Sequence, residues 1–136
     1  ITSIILVLAI VVGACAVYVN DYYRADMDAI EVFAEQSNVE YKVLENDNIV
    51  FEPDGATKGF IFYPGGKVEY TAYLPLMQAL AEQGIMCVLV EMPFNLAVFD
   101  INAAEKPMEM FADIEKWYMA GHSLGGSMAA SFTADI

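Results

Sequence analysis

The pattern of apolar and polar positions divides the chain at Asn20. Residues Ile1 to Val19 (ITSIILVLAIVVGACAVYV) are apolar or small without interruption, and at about 1.5 Å rise per residue such a run is about long enough to cross a hydrocarbon core. It has no polar face, and the charged composition starts abruptly at Asn20-Asp21, so residues 1–19 are expected to be a membrane segment rather than a core helix. Asp26 to Gln36 carry Met27, Ile30, Val32 and Phe33 among good helix formers, which predicts a short amphipathic helix, so that residues 20–38 read as a juxtamembrane helix or stalk. Two short β-patterned runs follow, Val39 to Leu44 and Ile49 to Pro53, with Glu45-Asn46-Asp47-Asn48 between them as a hairpin turn.

From Gly59 onward the periodicity alternates between strand and helix. GFIFY is a short apolar run that ends at Pro64-Gly65-Gly66. Leu74 to Gln83 is helical, with Pro75 in its first turn and Gly84 just past its end. Ile85 to Glu91 is continuously hydrophobic, as a strand covered on both faces would be. Pro107 to Ile114 read as helix, Lys116 to Ala120 as a third buried strand, and Gly125 to Ala134 as a helix of small residues. This alternation predicts an α/β domain over 39–136, a mainly parallel sheet with helices on both faces.

Composition changes this picture in three ways. The 136 residues hold 19 acidic and 6 basic side chains, a net charge of -13, and six scattered basic residues make no patch that could hold a nucleic-acid backbone. Nucleic acid is excluded as a partner, and an anionic lipid surface would repel the domain. Cys15 lies in the apolar segment and Cys87 in a strand-like run, so no disulfide joins them, and no metal-ligand spacing exists. Finally, Ala14-Cys15-Ala16 offers a small-residue cleavage site, and Val12-Gly13-Ala14-Cys15 loosely resembles a lipoprotein box. An uncleaved anchor, a cleaved signal and a lipoprotein all remain open. The uncleaved single-pass anchor is preferred, because Tyr18, Tyr22 and Tyr23 extend the run into an interfacial aromatic belt. The acidic flank (Asp21, Asp26, Asp28, Glu31) lacks the Lys/Arg excess of cytoplasmic loops, which puts the domain on the outer face of the cell membrane.

The chemistry concentrates at Gly121-His122-Ser123-Leu124-Gly125. In a G-x-S-x-G turn the serine sits on a sharp strand-to-helix bend, where side chains two residues before and after it would collide with the neighbouring strand and helix. The pattern falls directly after an apolar strand-like run and before a small-residue helix, so Ser123 is the candidate nucleophile, supported by Gly121, His122 and Gly125. The Leu124 amide at the helix N-terminus is the first candidate oxyanion donor. A second donor is expected from Tyr63-Pro64-Gly65-Gly66-Lys67, with Gly66 preferred and Lys67 as alternate. Tyr63, Tyr70 and Tyr73 either line an acyl or aromatic pocket or pack the junction, and packing is the preferred reading.

With those motifs, residues Gly59 to Ala134, a little over half of the chain, resemble the α/β-hydrolase family, in particular its dienelactone-hydrolase-like and small-esterase branches. Many relatives have a histidine before the loop glycines where this chain has Pro64. The resemblance implies hydrolysis of an ester, thioester or related acyl bond of a small-molecule substrate through an acyl-serine intermediate, with no metal or organic cofactor. A serine hydroxyl needs a general base, and that base an orienting carboxylate. His122, the one histidine, is held in the turn beside Ser123 and reads as a packed elbow residue. Asp100 reads as a cap or turn residue, and Asp135 lies about three turns along the helix, pointing away from Ser123. In the family the acid and histidine follow the nucleophile in that order. The chain is therefore expected to be a truncated piece of a longer hydrolase, interrupted after the elbow and inactive by itself. A non-catalytic membrane-tethered binding or scaffold domain, and an acyltransferase sharing every visible residue, stand as alternatives.

Overall fold

A computed structural model describes all 136 residues. Helix α1 (Thr2–Asn20) buries none of its residues and is long and apolar enough to cross a membrane. Helix α2 (Met27–Ala34) begins where the Asp26 carboxylate accepts the Ala29 N–H at 3.2 Å, a side-chain cap that satisfies one of the first-turn donors. The expected hairpin is present: β1 (Tyr41–Val43) pairs antiparallel with β2 (Ile49–Phe51). Asp47 takes the positive φ of its turn, and its N–H donates to the Leu44 carbonyl.

Strand β3 (Lys58–Tyr63), helix α3 (Leu74–Ala81), strand β4 (Met86–Leu89), helix α4 (Glu105–Met110), strand β5 (Lys116–Gly121) and helix α5 (Leu124–Ala134) complete the chain. The strands form one sheet in the order β1-β2-β4-β3-β5. β3 lies between β4 and β5 and is parallel to both, in register Phe60↔Cys87 and Phe60↔Tyr118. The strands of the alternating region are parallel to one another, and the antiparallel hairpin makes the sheet as a whole mixed. β2 runs antiparallel to β4, with Ile49 opposite Leu89, so the hairpin extends the sheet instead of standing apart from it. The reason is that β2, buried at all three of its positions, can satisfy its outward-facing backbone groups only by pairing with another strand, and β4 offers the free edge.

Alternation along the strands divides the core between two faces. Val50, Ile61, Tyr63, Val88 and Val90 face Ala129 and Phe132 of α5 and the segment around Ala97 and Ala104. Ile49, Phe51, Phe62, Cys87 and Leu89 face Leu74, Met77 and Ala81 of α3 together with Ile30 of α2. Residues 20–38 thus lie against the second face: Ile30 is buried, and Gln78 Nε2 donates to the Phe33 carbonyl at 3.0 Å.

The loop that follows β4 is fixed from below by Tyr63. Its ring is fully buried, its hydroxyl donates to the Ile101 carbonyl at 2.7 Å, and it accepts the Ala104 N–H at 2.9 Å. Burial pushes the phenol up to about 12, so it stays a neutral donor. Tyr63→Phe strands the buried Ala104 N–H and is expected to cost about 1–3 kcal/mol, read as a lower urea midpoint with an unchanged slope in detergent micelles.

Candidate functional site

The turn between β5 and α5 is built by backbone contact. A Cβ at Gly121 would strike the backbone of Gly125 and Gly126, and one at Gly125 would strike the carbonyls of Tyr63 and Pro64. Neither obstacle is the end of a flexible side chain, so the end of β5, the first turn of α5 and the end of β3 meet only because those two positions carry hydrogen. Hydrogen bonds close the turn: the His122 N–H donates to the Tyr63 carbonyl at 3.1 Å, Gly125 N–H to the His122 carbonyl at 3.0 Å, and Ser127 N–H to the Ser123 carbonyl at 3.1 Å.

Ser123 itself has φ 53 and ψ -119, the conformation of the first central residue of a type II′ turn, where glycine is the usual occupant. Holding a serine there costs on the order of 1–3 kcal/mol. The side chain projects at the surface, exposed, at the N-terminal end of an eleven-residue helix. Its hydroxyl takes part in none of the hydrogen bonds that close the turn.

Gly66 and Leu124, from separate elements, are brought side by side: a Cβ on Gly66 would lie 3.1 Å from Leu124 Cδ2. The Leu124 N–H is the first of α5 and has no partner in its own helix. Of the two loop amides considered, that of Lys67 is already used, donating to the Asn95 carbonyl at 2.8 Å, whereas the Gly66 N–H donates to nothing in the fold. Lys67 and Asn95 both have positive φ, as does Phe94, so two strained loops are joined back to back beside the serine.

Sequence reasoning missed a relay behind this loop. The Gly65 N–H donates to the Tyr73 hydroxyl at 3.0 Å, and that hydroxyl lies 3.0 Å from His122 Nδ1. With the Gly65 N–H on the phenol oxygen, the Tyr73 O–H is left to face the His122 ring. Tyr73 thereby ties the residue before the serine to the residue before Gly66. The only advance signal was the pair of tyrosines bracketing the loop-to-helix junction. The other two tyrosine hydroxyls are also used inside the fold, Tyr63 as above and Tyr70 in donating to the Asp47 carbonyl at 2.8 Å.

Asp100 is not brought to Ser123. It lines a separate polar cavity of about 400 Å³ with Asn48, Glu91 and Glu105. There burial, aided by Asp47, raises the Glu91 carboxyl above the usual range. Asp135 follows the last turn of α5, at the opposite end of the helix from Ser123. His122 faces Tyr73.

Gly125→Ala is expected to lower stability by about 1–3 kcal/mol or more, because backbone cannot give way. Gly66→Ala, which meets a leucine methyl, should cost less than about 1 kcal/mol. Urea midpoints of the two variants check the order.

A family model described as the alpha/beta hydrolase family matches residues 59–136. No curated protein and no solved structure matches the chain.

Proposed function

The chain belongs to the alpha/beta hydrolase family, and on that premise we propose that it is the nucleophile-bearing part of a serine acyl hydrolase tethered to the outer face of the cell membrane by α1. The observation that carries this is the backbone at Ser123: a serine held in a conformation that favours glycine, at a helix N-terminus beside an unused loop amide. Backbone strain of this kind clusters at functional sites.

In this reading the Ser123 Oγ attacks the carbonyl carbon of an ester or thioester while a general base takes the hydroxyl proton. The carbonyl π pair moves onto oxygen, and the resulting oxyanion accepts hydrogen bonds from the Leu124 and Gly66 N–H groups. Both donors are backbone, fixed before substrate arrives, and the α5 dipole adds to them. Collapse of the tetrahedral species expels the alcohol or thiol, leaving an acyl-serine that water then hydrolyses by the same steps. Gly65, Tyr73 and His122 hold the two donors at a fixed separation. His122 is not the base in this scheme, since its Nδ1 is turned to Tyr73. Asp100, in its separate cavity, and Asp135, at the far end of α5, are not assigned as the orienting acid. The dienelactone-hydrolase-like or small-esterase character suggested by the motifs belongs to this proposal too.

Treatment of the native gene product with an alkyl fluorophosphonate tests the reading. Serine attack at phosphorus expels fluoride and leaves a stable adduct. The adduct is expected on Ser123 and lost in Ser123→Ala. A native product that gives no adduct at Ser123 would favour a tethered, non-catalytic domain.

A further inference from the structure

The segment after α1 is stitched directly onto the loop that carries Gly66. Tyr23 N–H donates to the Lys67 carbonyl at 2.8 Å, and Glu69 N–H donates to the Tyr23 carbonyl at 2.8 Å, a one-residue parallel bridge between Tyr23 and Val68. Glu69 Oε2 then accepts the Ala25 N–H at 2.7 Å. The Lys67 ammonium sits 4.1 Å above the Tyr18 ring and 3.6 Å from Asp21 Oδ2. A cation between an aromatic ring and an acid at the end of an apolar helix is an arrangement suited to the headgroup level of a bilayer. The end of α1 also touches the Pro93–Asn95 turn.

That same turn opens a small apolar surface. Phe94 and Phe99 are 62% and 60% exposed, their rings in edge contact at 5.8 Å, with Val98 beside them in the chain and half exposed. Leu96, between them in sequence, has its Cδ2 3.7 Å from where a Gly66 Cβ would lie. The exposed aromatics, the Gly66 loop and the end of the anchor are therefore one contiguous region. In water such a surface is unfavourable, and Phe94 at its edge also has positive φ.

Building on the acyl-hydrolase reading, and on α1 crossing the membrane, we infer that Phe94, Val98 and Phe99 dip into the lipid interface, and that the candidate site takes acyl esters that reside in the bilayer. The occupant of the patch is the bilayer surface beside the anchor, because the strap leaves the Gly66 loop no freedom to turn away from it. With a net charge of -13, a zwitterionic surface suits the domain and an anionic one does not. A lipid ester would need only to rise part-way out of the membrane, its chain sliding along the two phenylalanines toward Ser123.

Two measurements on the 136-residue chain in phosphatidylcholine vesicles test this, and neither needs an activated serine. In the first, Trp117→Phe removes the one tryptophan, and a reporter is placed by Phe94→Trp, Phe99→Trp or, on the exposed far-edge strand, Val43→Trp. Lipids brominated high on the acyl chain should quench the reporters at 94 and 99 at least about twofold more than the one at 43. Equal quenching at all three positions, or burial of 94 and 99 that grows with protein concentration and marks a second copy on the patch, overturns the inference. In the second, Ser123→Cys with Cys15→Ala places a thiol at the site, while Cys87 is buried with its thiol pushed up to about 12 and stays silent. The thiolate displaces methanesulfinate from a methanethiosulfonate to form a disulfide. Adding Phe94→Asp and Phe99→Asp should slow a long-chain, bilayer-dissolved reagent by about tenfold and leave a water-soluble one unchanged. Equal effects on both reagents overturn it. Failure here with a normal fluorophosphonate adduct removes the lipid substrate alone, whereas normal results here without an adduct remove the nucleophile and keep the surface.

Discussion

The close approach of three backbones, at the end of β3, the end of β5 and the start of α5, is the constraint on which the rest of the molecule depends. At Gly121 and Gly125 there is no room for a side chain between them. Where they meet, the chain reverses at Ser123, which takes a positive φ there. The strain of order 1–3 kcal/mol is offset by the parallel β3–β5 ladder and by Ala129 and Phe132 of α5, which are buried against the sheet. The same approach leaves the Leu124 N–H pointing out of the helix end and brings Gly66, just past β3, beside it. The exposure of Ser123 and the pairing of the two amides are thus two consequences of one packing contact.

A second constraint couples that contact to α1. Lys67 uses nearly every group it has: its N–H goes to Asn95, its carbonyl receives Tyr23, and its ammonium lies between Tyr18 and Asp21. The loop beside Ser123 is consequently held from two sides, by the turn after β4 and by the segment leaving α1. Individually the exposed ionic and cation–π contacts contribute little. The backbone bridge gives them a fixed position, and the position is what matters, because it sets which way the serine faces relative to the apolar helix.

The tyrosines show how polar tips on apolar bodies serve such a structure. Each of Tyr63, Tyr70 and Tyr73 packs its ring at the junction and spends its hydroxyl on a group from a distant part of the chain. Their rings were legible as packing residues, in agreement with the preferred reading, but the hydroxyl partners were not. A relay such as Gly65–Tyr73–His122 has no sequence spacing of its own, since its members come from a loop, a helix start and a strand end.

Sequence by itself determined what short-range sterics and periodicity control. The apolar run of α1, the hairpin around Asp47, the alternation of strands and helices and the position of the glycine-flanked serine all follow from φ/ψ limits, side-chain period and the exclusion of Cβ atoms within a few residues. Tertiary structure alone decided the rest. Whether β2 would join β4, making the sheet mixed, depended on which buried edge had unpaired backbone groups. That Gly66 rather than Lys67 keeps a free amide depended on where the Asn95 carbonyl landed, and the docking of Tyr23 on Lys67 depended on the path of the segment after α1. In each case the partner lies tens of residues away, and pairing of that kind is set by how the layers close around the core, which no local pattern encodes.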